Sequence, residues 1–217
     1  MVPVINTVDK MFISVCGMIG AGKSCLATKL GKIMNLPVFY EEVIEIDNHY
    51  LEDFYKDMKS NAFSLQIQLL HSRMEQLKKI RNEKNGCIQD RTIYEDTIFV
   101  SLLHDEGYID DKSYNAYKDL FSTLTEYMVR PTIIIFIDVL PHISLERILN
   151  RNREMEGKIT LEYLTKLYNK YQQFIKDISR ISPVIKVDWN TFGNEDKMVE
   201  KIKLKYDEIQ CIHTITC

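Results

Sequence analysis

Eight residues, Gly17-Met18-Ile19-Gly20-Ala21-Gly22-Lys23-Ser24, follow the apolar run from Met11 to Cys16 and fit the pattern G-x-x-x-x-G-K-[ST]. Glycines at 17, 20 and 22 let the backbone curl until successive N–H groups converge on an anion, a nest that bulkier residues would close. Lys23 adds a point charge suited to the outer phosphates, and Ser24 a hydroxyl suited to Mg2+. A helix starting here points the positive end of its dipole at the same anion. That helix is legible in Leu26, Ala27, Leu30, Ile33 and Met34, with Lys29 and Lys32 on the solvent side. The pattern predicts a site for a nucleoside triphosphate and its Mg2+.

Two more groups of charged residues end short apolar runs. Val38-Phe39-Tyr40 leads into Glu41-Glu42, and Cys87-Ile88-Gln89 leads into Asp90-Arg91-Thr92. In a parallel sheet both ends open onto the edge that carries the phosphate loop. A carboxylate there can take the proton of an attacking hydroxyl, an Asp can help hold Mg2+, and an Arg can neutralise charge between donor and acceptor. The combination suits phosphoryl transfer, although Glu41 and Glu42 by pattern alone also fit a solvated loop.

A third group lies on the segment from Phe63 to Leu77, whose apolar stripe runs through 63, 67, 70, 74 and 77. Gln66 and Arg73 are seven residues apart, nearly on one helical face. An amide and a guanidinium beside an apolar stripe suit the edge of a flat polar ring, and periodicity alone equally allows both to border solvent. Arg147, Arg151 and Arg153, followed by Glu156, read either as a basic lid for phosphates or as a solvated helix end.

These residues need a scaffold, and the chain spells one. Strand patterns fall at 11–16, 38–40, 87–89, 132–137 and 184–187. Helical patterns fall at 47–57, 61–84, 92–106, 110–128, 142–153, 160–180 and 194–209. Alternation of this kind predicts an α/β protein with a five-stranded parallel sheet flanked by helices. With 217 residues, no internal repeat and no linker rich in Gly, Pro or Ser, a single domain is expected, its tail frayed over about 210–217.

Composition narrows the partners. Lys and Arg number 28 against 31 Asp and Glu, a net charge of -3, which gives no general drive toward nucleic acid. Apolar residues make up 45% of the chain, but no apolar run approaches the roughly 20 residues of a membrane span. The first ten residues lack a signal-peptide core or the arginines of a presequence, and Cys16, Cys25, Cys87, Cys211 and Cys217 read as reduced thiols, so a cytoplasmic protein is expected. Cys211, His213 and Cys217 lack the further ligand pair of a zinc site.

Taken in order, these features resemble the deoxyribonucleoside kinases over about residues 11 to 190. The order is a P-loop, a strand ending in Glu, a helix with Tyr and then Gln-x-x-x-x-x-x-Arg, a strand ending in Asp-Arg-Thr with an Asp five after the Arg, and an Arg-x-Arg-x-x-Glu lid. The resemblance implies a P-loop kinase fold with a small arginine-rich lid at about 147–158. It also implies transfer of the γ-phosphate of ATP to the 5′-hydroxyl of a deoxynucleoside in nucleotide salvage, and a homodimer through the helices at 61–84 and 92–128.

By the same resemblance Glu41 is the general base, Arg91 holds the 5′-oxygen and the phosphoryl group, and Asp90 and Ser24 serve the Mg2+. Tyr55 and Glu156 hold the sugar 3′-hydroxyl, and Gln66 reads the base. Val43 and Phe99 line the substrate pocket. Arg151 and Arg153 lie on the phosphates and Arg147 against the adenine of ATP. Arg73 and Asp96 form a charged pair that accompanies deoxyadenosine, deoxyguanosine or deoxycytidine rather than thymidine. The chain departs from the pattern in having Glu42 where Pro is usual and no Trp among residues 44–47, which makes Glu42 a second candidate for the base. A nucleoside monophosphate kinase and a non-catalytic structural subunit are the alternatives. Glu41 at the acceptor side argues against the first, and the intact P-loop with Glu41 against the second.

Overall fold

The computed structural model describes residues 11–41, 49–152, 156, 159–191 and 195–215, with residues 195 and 209–215 described by backbone alone. Five parallel strands form one sheet in the order β2-β3-β1-β4-β5, where β1 is Phe12–Gly17, β2 Val38–Phe39, β3 Cys87–Asp90, β4 Ile133–Asp138 and β5 Val184–Asp188. The near-continuous apolar runs of β1 and β4 are buried along their length, as a sheet covered on both faces requires. Each fully buried Ile of β4 contributes about 1.5–3 kcal/mol. Registers Val15↔Asp90 and Gly17↔Ile137 bring the carboxyl ends of β1, β3 and β4 to one edge.

Helices cover the two faces. On one side lie α3 (Met58–Arg81), α4 (Asp96–Asp105), α5 (Asp111–Glu126) and α7 (Leu161–Ile178), and the core there is built around Leu70, Leu77, Tyr117, Phe136 and Tyr171. On the other lie α1 (Lys23–Met34) and α8 (Glu195–Ile215), closing over Ile13, Leu30, Ile135, Trp189 and Ile202. The remaining helices are α2 (His49–Lys56) and α6 (Pro141–Arg151). Asp57, Asp110 and Thr160 cap α3, α5 and α7 by accepting from backbone N–H groups of the first turn. α1 has no side-chain cap bond, which leaves its first N–H groups to an anion.

The expected elements are all present, with three differences of detail. The pattern over 92–106 divides into a 3-10 turn, Ile93–Glu95, and α4, because Thr92 and Glu95 form a capping box that closes a tight turn first. β3 runs one residue further than its apolar letters, to Asp90. The tail expected to fray over 210–217 is helical to Ile215, since no Gly or Pro interrupts α8. No helix among the described residues is long and apolar enough to cross a membrane.

A buried polar chain crosses the middle of this scaffold. Ser14 Oγ donates to Gln89 Oε1 (3.2 Å), Gln89 Nε2 to Gln76 Oε1 (2.7 Å), and Gln76 Nε2 to the carbonyl of Tyr40 (2.6 Å). Strands β1 and β3, helix α3 and the residue before Glu41 are thereby joined.

Candidate active site

The phosphate loop leaves β1 at Gly17 and turns back into α1. Gly20 sits at φ 77°, where a Cβ would lie 2.8 Å from the Ser144 carbonyl, so only glycine passes beneath α6 here. Lys23 is buried and folds over the loop, donating to the carbonyls of Gly17 and Met18, both at 3.0 Å. Burial lowers its pKa, with Arg91 adding to the effect.

Across from the loop, Asp90 Oδ2 accepts from Ser24 Oγ at 2.5 Å while Asp90 Oδ1 is buried with no hydrogen-bond partner. A hydroxyl and an orphaned carboxylate oxygen at the mouth of an anion nest suit a hard divalent cation that takes its other ligands from phosphate and water. Among the described residues no cluster of three or more His, Cys, Asp and Glu could hold a metal by itself.

Arg91 occupies the left-handed region at φ 72°, its N–H donating to the Val15 carbonyl at 2.8 Å. Such a conformation costs about 1–2 kcal/mol for an L-residue, and it turns the side chain across the strand ends. The guanidinium lies 4.8 Å over the ring of Phe99. Glu41 stands between two arginines, accepting from Arg73 Nη2 at 2.5 Å and lying 2.9 Å from Arg91 Nε. The Arg91 Nε–H is not directed along that line, so the second pairing is electrostatic rather than a hydrogen bond. Burial would raise the Glu41 carboxyl, but Arg91, Arg73 and Lys23 together overcome it and hold the group at about 2.

Arg73 thus serves two partners, since its Nε also lies 3.4 Å from Asp96 Oδ1. Burial pushes Asp96 up to about 6 against the pull of Arg73 and Arg91. Asp96 Oδ2 and Gln66 Oε1 are both buried and accept no hydrogen bond. At the other end of the site, burial and the Glu156 carboxylate raise the Tyr55 phenol. Glu156 itself is held by Arg151, at 2.7 Å to Nε and 2.5 Å to Nη2.

The structure therefore brings Lys23, Ser24, Asp90, Arg91, Glu41, Arg73, Asp96 and Phe99 together, and places Tyr55 near Glu156. Two lid arginines have partners within the chain. Arg151 is turned to Glu156, because a carboxylate five residues on offers it both oxygens. Arg147 reaches the carbonyls of Trp189 (2.6 Å) and Ala21 (3.3 Å), which sets it beside the phosphate loop. Val43, Arg153 and the alternative base Glu42 lie outside the described residues.

Sequence reasoning passed over Glu95. This carboxylate is fully buried, with Oε1 accepting from the Gly17 N–H (3.0 Å) and the Tyr171 hydroxyl (2.7 Å) and Oε2 from the Thr92 N–H (2.8 Å). The signal that could have found it is Thr92-x-x-Glu95, a capping-box spacing.

Comparison with known proteins decides the family. A model of the family described as deoxynucleoside kinase matches residues 13–210. The chain belongs to the deoxynucleoside kinase family. The kinase is 48% identical over 210 residues to a deoxyadenosine kinase of Dictyostelium discoideum, covering 97% of this chain and 85% of that one. It is 34% identical over 212 residues to a deoxyguanosine kinase of the same organism, covering 93% and 74%. Among solved structures, deoxyadenosine kinase from M. mycoides with dCMP and dCDP bound superposes with a TM-score of 0.81 at 32% identity, over 91% of this chain and 100% of that one.

Proposed function

We propose that this kinase transfers the γ-phosphate of ATP to the 5′-hydroxyl of deoxyadenosine in preference to the other deoxynucleosides. The observation that carries the base assignment is the pair of buried acceptor oxygens without partners, Gln66 Oε1 and Asp96 Oδ2, the second on the carboxylate that pairs with the Arg73 guanidinium. Acceptors beside a fixed donor want a ring edge that offers hydrogen-bond donors, which adenine and cytosine present as an exocyclic amine next to a ring nitrogen and guanine as N1–H beside its amine. Thymine has one N–H between two carbonyls and would turn a carbonyl toward the same oxygens, leaving a buried acceptor unpaired. The likeness to a deoxyadenosine kinase favours adenine of the three.

In this reading ATP lies on residues 17–24 with Arg147 beside its adenine. Glu41 collects the proton of the 5′-hydroxyl, and Arg91 balances charge on the moving phosphoryl group. Tyr55 and Glu156 hold the 3′-hydroxyl, while Phe99 lines the nucleoside pocket. Ser24 and Asp90 would hold Mg2+, which supplies charge neutralisation at the phosphates. Closure of the arginine lid requires Arg151 to exchange Glu156 for phosphate.

The test is ATP-dependent phosphorylation of the four deoxynucleosides and dTMP, with products separated by chromatography. dAMP is expected to form fastest. A fastest rate with any other deoxynucleoside would overturn the base assignment, and turnover of dTMP alone would move the chain to the monophosphate kinases.

The position of Asp96 gives this site a pH dependence. As pH falls through about 6 its carboxylate takes a proton and ceases to be a charged acceptor, so kcat/KM for deoxyadenosine should fall by roughly tenfold per unit below that point. Asp96→Asn should flatten this limb, and an unchanged profile would remove Asp96 from base recognition. The linkage to stability has the opposite sign to that of Glu41. Asp96, raised above its ordinary 3.8, contributes stability that is present below that value and lost as pH rises through about 6, whereas Glu41, lowered from 4.5, contributes stability lost as pH falls toward about 2.

The kinase is also taken to assemble as a homodimer. α5 buries only Tyr117 and leaves Leu120 exposed, with Tyr127 exposed just past its end, a face suited to a second copy. Sedimentation should give twice the chain mass of 25.5 kDa, and a monomer at assay concentrations would refute this.

A further inference from the structure

We infer that Glu95 is a positioning residue that ties the phosphate-donor loop to the acceptor-side arginine turn and so sets the distance across which the phosphoryl group moves. The two oxygens of its carboxylate are divided between the two halves of the site. Oε1 takes the N–H of Gly17, the first residue of the ATP loop, and Oε2 takes the N–H of Thr92, the residue after Arg91. Seventy-four residues lie between Gly17 and Thr92 along the chain, and the sheet alone pairs β1 with β3 only as far as Val15↔Asp90. Beyond that last pair the carboxylate continues the connection.

A third bond extends the tie to the lid side. Tyr171, on the helix that follows the lid, donates its hydroxyl to Oε1 at 2.7 Å, and that hydroxyl also lies 3.0 Å from the Gly17 carbonyl that Lys23 bonds. Both Glu95 and Tyr171 are wholly buried. Glu95 also acts at a distance as counter-charge to Lys23 and Arg91, favouring the charged form of each. Both oxygens are engaged within the protein, by Gly17, Tyr171 and Thr92, so the effect of the residue should appear in the joint complex and not in either binding step.

Glu95→Gln is a discriminating change because it preserves shape. An amide has one carbonyl oxygen, so one of the two N–H groups must face an NH2 and a tie is lost without a cavity. Turnover should fall on the order of 10²-fold, as a displacement of about 1 Å between reacting groups would produce. Dissociation constants for ATP alone and for deoxyadenosine alone, read by calorimetry, should stay within about threefold of the parent. Tyr171→Phe removes a single hydroxyl and should cost roughly tenfold in kcat. The double variant should be no slower than Glu95→Gln, since both act through one carboxylate.

If both single variants keep kcat within about threefold of the parent, the inference is wrong. If Glu95→Gln weakens both ligands taken separately and lowers Tm in step with kcat, the carboxylate is ordinary structural support and positioning is again refuted. Should Glu95→Gln fail to fold, Tyr171→Phe decides alone by the same split between kcat and binding. The inference rests on the kinase reading but not on the preferred base, because every variant is measured with the deoxynucleoside the parent turns over fastest. A parent that turns over none would refute that reading and is distinguishable from a variant effect.

Discussion

Glu41→Gln is expected to lower kcat by about 10²-fold or more while leaving KM for deoxyadenosine nearly unchanged. The carboxylate is the acceptor-side oxygen at the ends of β2 and β3, and it is held in place by Arg73 and beside Arg91. With its carboxyl at about 2 it is ionised at any working pH. A weak base suffices where the transition state is loose and the hydroxyl loses its proton late. What the position then supplies is an oriented negative oxygen, and an amide of the same shape withdraws it. The variant can keep an oxygen toward Arg73 and Arg91 but leaves two buried guanidiniums without their counter-charge, so stability should drop by roughly 2 kcal/mol, below the range for fully buried pairs because Glu41 keeps some exposure. Steady-state kinetics with both substrates provide the check. Retained turnover in Glu41→Gln together with loss in Glu42→Gln would hand the role to the neighbouring residue.

Arg91→Lys should be nearly as damaging, at on the order of 10²-fold to 10³-fold in kcat, although it conserves charge. The guanidinium is fixed by its stack over Phe99 and by the left-handed backbone that aims it across the site. A lysine ammonium is a mobile point charge without the planar fork, and it cannot present two aligned donors to the oxygens of a transferring phosphoryl group. Backbone strain is common to both residues, so the loss should leave Tm within a few degrees of the parent. Kinetics beside a thermal melt separate the effects. A loss smaller than about tenfold would mean that charge alone is required at this position. Combining this change with Glu41→Gln should cost less than the product of the two, because the residues form one charged unit.

Much of this site is legible in the amino-acid sequence, and the reasons are specific. The P-loop is contiguous, and its strand and helix flank it in sequence, so local pattern is sufficient. Gln66 and Arg73 share a face of α3 because seven residues make nearly two turns. The grouping of charged residues at the strand ends follows from the parallel topology, in which all carboxyl ends open on one edge. What sequence does not reveal is whatever depends on register between strands distant along the chain. Glu41 and Arg73 are separated by 32 residues and meet only because β2 and α3 pack on β3. Glu95 advertises itself as a helix cap, yet its bond to Gly17 exists only once β1 and β3 are aligned. Arg151 is assigned to phosphate by its charge, and the structure pairs it with the carboxylate of Glu156, which its charge alone does not foretell.

The glutamine chain from Ser14 through Gln89 and Gln76 to Tyr40 has a consequence for the fidelity of folding. Gln89 stands opposite Ser14 on one side and Phe39 on the other. A slip of one residue between β1 and β3 would turn its amide to the opposite face of the sheet, and would leave Gln76 and Ser14 buried without their bonds, at about 1–3 kcal/mol for each abandoned group. The same slip would release the Tyr40 carbonyl and with it the anchor of the adjoining carboxylate. A misaligned molecule is therefore both inactive and unstable enough to be unfolded and degraded, so that errors in assembling the sheet are removed from the pool before they can occupy substrate.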